Sequence, residues 1–80
     1  MPRLKVLSGE EVVGIFLSLG FAIISERGSH VKLRRTTEGG KQTLTIPRHA
    51  ELDRGTLQAI YRQASRYISE IELKPEFFAE

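Results

Sequence analysis

The chain has two histidines and no cysteine. One histidine, His30, lies in the run ERGSHVKLRR at residues 26–35. It follows a Gly-Ser pair, and cations then alternate with apolar residues. An imidazole titrates near pH 6.5, so at neutral pH it can accept or deliver a proton. RNA carries its own nucleophile, the 2′-hydroxyl. Cleaving RNA without a metal requires a base for that hydroxyl proton, an acid for the leaving oxygen, and cations for the charge on the phosphorane. His30 is the candidate base or acid. Lys32, Arg34 and Arg35 are the candidate phosphate ligands. Gly28 lets the backbone approach a substrate closely, and Ser29 completes the turn beside it.

Other chemistries lack their residues. A metal site needs three or four ligands, and no His-x-x-x-His or Glu-x-x-His spacing joins His30 to His49. No metal or cofactor is therefore expected. EGGKQT at residues 38–43 lacks Walker A spacing. Neither Gly-x-Gly-x-x-Gly nor a Gly-x-Ser-x-Gly elbow occurs. Ser29 and His30 are not a catalytic pair, because neighbouring strand side chains point to opposite faces. His49 follows Pro47 in a loop and is expected to anchor that loop by a hydrogen bond, with an auxiliary acid role as the alternative.

The net charge of +2 hides an asymmetry. Residues 27–66 hold nine Lys or Arg against three acids, whereas residues 1–26 sum to −1 and residues 67–80 to −3. A basic middle between acidic ends suits a polyanion-binding face. The bland counterpart is a solvated surface with uneven charge.

Eighty residues fit one small domain with a thin core. No apolar run approaches the ~20 residues that span a bilayer, and MPRLKVLSGEE lacks a signal peptide's apolar stretch. A cytoplasmic protein with no membrane partner is the expectation.

The elements that must position His30 can be read from periodicity. SGEEVVGIFLSLGF is a capped helix: Ser8 and Glu11 form a capping box, Val12, Phe16 and Leu19 make the apolar stripe, and Gly20 suits a left-handed end. Ile15 and Leu17 lie off that stripe and either widen the buried face or mark a partner surface. Phe21 to about Glu26 reads as a strand, HVKLRRT as a second and QTLTI as a third, joined by turns at Arg27-Gly-Ser29 and TEGGK. In the second strand Val31 and Leu33 point one way, and His30, Lys32 and Arg34 the other. Thr43 and Thr45 oppose Leu44 and Ile46 in the same manner. Asp53 caps a second helix that carries Leu57, Ile60, Tyr61 and Ala64 and ends near Arg66. Beyond it, Ser69 and Glu72 can box a further helix start, and Pro75 can open a turn. Phe77 and Phe78 either fold back on the core or dock on a second chain. The order helix, three antiparallel strands, helix gives an α+β domain with helices on one sheet face. The open face then carries His30, Lys32, Arg34, Thr43 and Thr45.

SGEEVVGIFLSLGF, GSHVKLR and TIPRHAELDRGTLQAIYRQA, in that order, resemble the HicA toxins, also called the YcfA-like family. The match runs from about Leu4 to Ala64 and rests on the ordered set Leu-Gly-Phe, Gly-Ser-His, Pro-x-His and Gly-Thr-Leu. The resemblance implies a double-stranded-RNA-binding-domain-like fold, α-β-β-β-α. It implies a small metal-independent ribonuclease that cleaves mRNA and arrests growth, and a HicB-like antitoxin that blocks it. The family's catalytic histidine falls on His30, with Gly28 and Ser29 completing the motif; His49 falls in the Pro-x-His loop. Ser65 stands where the family has Gly after Ala64. One domain over residues 1–80 is expected, with a core at about 4–66 and a C-terminal extension at 67–80 suited to self-association or antitoxin contact. Two other readings compete with the toxin: a non-catalytic RNA-binding module of the same fold, and a protein-interaction domain acting through Phe77 and Phe78.

Overall fold

The computed structural model describes residues 2–80. The chain runs β1 (Arg3–Leu4), α1 (Gly9–Ser18), β2 (Ala22–Arg27), β3 (His30–Thr37), β4 (Gly40–Pro47), α2 (Arg54–Ala64), α3 (Glu70–Phe77) and β5 (Phe78–Ala79). β2, β3 and β4 form an antiparallel meander with β3 in the centre. The α-β-β-β-α order of a double-stranded-RNA-binding-domain-like fold is present, with helices on one face of the sheet.

The local chemistry explains the boundaries. At the start of α1 the Ser8 hydroxyl accepts from the Glu11 amide at 3.0 Å, and the Glu11 carboxylate accepts from the Ser8 amide at 2.9 Å. This capping box satisfies two of the helix's orphan donors. Gly20 follows the helix with φ +96°, a backbone state that side chains disfavour. The Asp53 carboxylate caps α2 through the Thr56 amide and hydroxyl at 3.1 and 2.7 Å. α2 closes at Ala64 with Ser65 as its cap, two residues before the expected end.

Alternation sorts the sheet. Val31 and Leu33 of β3 lie opposite Ile46 and Leu44 of β4, and all four are buried. They meet Val12, Val13 and Phe16 of α1 and Leu57, Ile60 and Ala64 of α2 in one cluster. Each of these side chains except that of Ala64 contributes about 1.5–3 kcal/mol of hydrophobic stabilisation.

The C-terminal residues join this core. Ile68, Leu73 and Phe77 belong to the buried cluster, and Phe77 has no exposed surface. Its ring lies 5.9 Å from Phe16 and 5.4 Å from Tyr61, and Phe78 packs 5.1 Å from Tyr61. β5 pairs with β1, so the two ends of the described chain are held together. Of the two expectations for Phe77 and Phe78, the fold-back is the one observed. Pro75 does not open a turn but lies inside α3, whose N-cap is Ser69. Among the described residues Ile71 is the most exposed large apolar side chain, at 88%. Among the described residues no helix is long and apolar enough to cross a membrane.

Candidate functional site

Gly28 and Ser29 form the two-residue turn between β2 and β3, with Arg27 opposite His30. Gly28 has φ +60° and Ser29 is not in the positive region, which is the pattern of a type II′ hairpin turn. The turn matches the twist of the strands it joins and puts His30 at the first position of the central strand.

Parity then fixes which face each residue takes. His30, Lys32 and Arg34 lie opposite Pro47, Thr45 and Thr43 of β4. Successive members of this row stand about 7 Å apart, two strand rises. The Arg34 Nε donates to the Thr43 hydroxyl at 3.3 Å, which orients its guanidinium along the open face. On the other side, the register of β2 skips Ile24: Ile23 lies opposite Leu33, and Ser25 opposite Lys32. This bulge turns Ser25 and Arg27, rather than Ile24, toward the open face.

The result is an open concavity of ≈ 520 Å³ lined by Ser25, Glu26, Arg27, His30, Lys32 and Thr45. His30 is exposed there, and among the described residues no side chain hydrogen-bonds its imidazole. No three His, Cys, Asp or Glu side chains gather anywhere among the described residues as a metal site would need.

The loop after β4 builds one wall. The Arg48 amide donates to the Ser29 carbonyl, carrying the β3–β4 ladder one step beyond Pro47. The Arg48 guanidinium donates to the carboxylates of Glu10 and Glu26. The bond to Glu10, above all, raises the Arg48 pKa further. The Gly9 amide donates to the His49 carbonyl at 2.9 Å. Gly9 has no room for a side chain, since a Cβ would lie 2.1 Å from the Pro47 carbonyl oxygen.

Two expectations need correction. Arg35 does not join the open face. Parity places it with Val31 and Leu33, across from Gln42. Its guanidinium donates to the Gln42 side chain at 2.9 Å, the Leu19 carbonyl at 2.9 Å and the Tyr67 carbonyl at 3.2 Å, and lies 4.9 Å from the Phe21 ring centroid. It ties the ends of α1 and α2 to the sheet, which gives its guanidinium a structural role on the face opposite His30. His49 anchors its loop through its backbone carbonyl, not its imidazole. The imidazole is exposed and lies outside the lining of the concavity.

Of the residues expected at the site, His30 and Lys32 line the concavity, Gly28 and Ser29 form the turn beside it, and Arg34 lies on the same sheet face outside the lining. Sequence reasoning missed Ser25 and Glu26, because the bulge that shifts the register there leaves no period-two signature. Gly9 and the Arg48 bridge were also missed, since a contact between a helix start and a distant loop has no local signal.

No curated protein matches the chain. A protein-family model described as HicA toxin of bacterial toxin-antitoxin matches residues 9–65. That span runs from the close-packed Gly9 through the Gly-Ser-His turn and the Arg48 loop to the cap of α2, taking in every residue that shapes the concavity. Matching more than half of the chain, it shows that the protein belongs to the HicA toxin family.

Proposed function

We propose that this toxin is a metal-independent endoribonuclease that cleaves mRNA and arrests growth, with His30 as its general base or acid. The observation that carries the reading is the shared concavity: His30, its cross-strand partner Arg27 and its strand neighbour Lys32 line it together with Ser25 and Thr45. Phosphates of a single strand lie along the His30–Lys32–Arg34 row. The imidazole takes the 2′-hydroxyl proton, the 2′-oxygen attacks phosphorus, and the P–O5′ bond breaks. The 5′-oxygen leaves, taking a proton from water, and a 2′,3′-cyclic phosphate remains. Lys32 and Arg27 stabilise the negative charge that accumulates on the phosphorane oxygens. Gly28 and Ser29 keep the turn narrow, so the RNA backbone can reach the imidazole.

A HicB-like antitoxin would restrain the toxin by covering this open face. The mRNA substrate sets the cytoplasm as the place of action. The absence of a side chain orienting the imidazole favours one other reading, an RNA-binding module that does not cleave. In that case RNA affinity survives His30→Ala and falls with salt in proportion to the phosphates neutralised.

Purified wild type and His30→Ala, incubated with a defined mRNA in the presence of chelator, separate the two. Cleavage by the wild type, ending in 2′,3′-cyclic phosphate and slowed at least about 100-fold in His30→Ala, supports catalysis by His30. Equal cleavage by both proteins, or by neither, removes it.

A further inference from the structure

Glu26 is the one carboxylate-bearing residue among those lining the concavity. Its register partner is Val31, so its side chain leaves β2 on the helix side, at the margin of the concavity and within a Debye length of it. Arg48 reaches it from the loop after β4, with one guanidinium nitrogen on Glu26 and another on Glu10. The two carboxylates are not equivalent. Glu10 stands in the first turn of α1, where the helix dipole already favours a negative charge. Glu26 is the penultimate residue of the edge strand β2, and among the described residues only Arg48 bridges it. The backbone of Arg48 is fixed as well, since its amide bonds Ser29 and its loop packs on Gly9.

We propose that Arg48 is a positioning residue for RNA at this concavity: it holds and neutralises Glu26, so the rim offers the phosphate backbone no free negative charge. The inference rests on the RNA reading above. A purely structural clamp and a charge screen give opposite results when Glu26 is removed. A clamp is broken by losing either partner. A screen is lost only when Arg48 goes and Glu26 stays.

The test measures the Kd of a fluorescent single-stranded RNA at about 0.1 M salt, in a His30→Ala background that prevents cleavage. Arg48→Gln is expected to weaken binding about three- to tenfold, the effect of one uncompensated charge at the rim. Glu26→Gln binds as tightly as the parent or tighter. The double variant Arg48→Gln/Glu26→Gln returns to within about twofold of the parent, and Arg48→Lys keeps most of the affinity because the charge remains.

Weaker binding by Glu26→Gln, or a double variant as weak as Arg48→Gln, overturns the proposal. Glu26→Gln alone keeps it falsifiable should Arg48→Gln not fold. A Lys32→Ala/Arg34→Ala variant separates this failure from failure of the RNA reading. Where that variant loses affinity and the double variant is not restored, only the role of Arg48 is wrong. Where the parent shows no affinity to lose, the RNA reading falls and takes this proposal with it.

Discussion

Gly9→Ala is expected to destabilise the protein, against the ordinary sign for a glycine in a helix. Replacing a helical glycine by alanine normally stabilises by about 0.4–1 kcal/mol through the unfolded chain. At Gly9 the new methyl would stand 2.1 Å from the Pro47 carbonyl oxygen, 2.8 Å from the Arg48 Cα and 3.0 Å from the His49 amide nitrogen. Non-bonded atoms rest at roughly 3.5 Å, so the loop has to retreat by about 1 Å. All three atoms are backbone, and no rotamer change relieves the clash. The retreat strains a packed contact at about 1–3 kcal/mol, and loss of the Gly9–His49 hydrogen bond adds about 1 kcal/mol. The sum, less the entropic gain, is about 1–3.5 kcal/mol, or roughly 5–25 °C in Tm for a domain of this size. Gly14→Ala is the control. It lies in the same helix, is exposed, and its methyl meets nothing within 4 Å. It should raise Tm by a few degrees. Thermal melts followed by circular dichroism on the two variants decide the matter. A Gly9→Ala protein as stable as Gly14→Ala would refute the close packing of the Arg48 loop on α1.

Arg35→Ala removes hydrogen bonds to Leu19, Tyr67 and Gln42. It should cost about 2 kcal/mol in urea melts, with little change in RNA affinity per folded molecule; Arg34→Ala should do the reverse. Phe77→Ala empties a fully buried ring position and should cost about 3–5 kcal/mol, enough to leave the variant largely unfolded at 37 °C; a cooperative melt near that of the wild type would contradict the C-terminal packing. The Asp53 carboxyl is held below its usual range, first by the Thr56 hydroxyl and then by the Thr56 amide. A lowered carboxyl pKa contributes stability that is complete above the unfolded value, near 4, and is lost as pH falls through the folded value. Tm of the wild type should therefore drop more steeply below pH 4 than Tm of Asp53→Ala, the two curves converging in acid. Parallel curves would mean that the cap contributes nothing through its charge.

Strong local signals carried most of the fold. The Ser8–Glu11 box, the glycines at the turns and the alternation Val31-Lys32-Leu33-Arg34 each act over a few residues, and each sits where the spacing predicts. The same alternation assigns Arg35 to the helix side; naming it a phosphate ligand beside Lys32 and Arg34 followed its charge and not its parity. Phe77 shows a different limit. Its apolar character announced a burial partner, but only the chain's return past Tyr61 and Phe16 determines that the partner is its own core. The site was legible where strand parity rules it, at His30, Lys32 and Arg34. It was illegible where three separate segments meet, at Gly9, Glu26 and Arg48, because an ion pair across 22 residues of sequence leaves no pattern in either segment.

The role of His30 is tested most directly by induced expression in a bacterial host of wild type beside His30→Ala, scoring growth and mRNA integrity at matched soluble, folded levels. The account predicts that wild type arrests growth and fragments mRNA while His30→Ala does neither. Harm from both proteins alike, or from neither, would contradict it and leave the Gly-Ser-His strand as a phosphate-binding surface with an incidental imidazole.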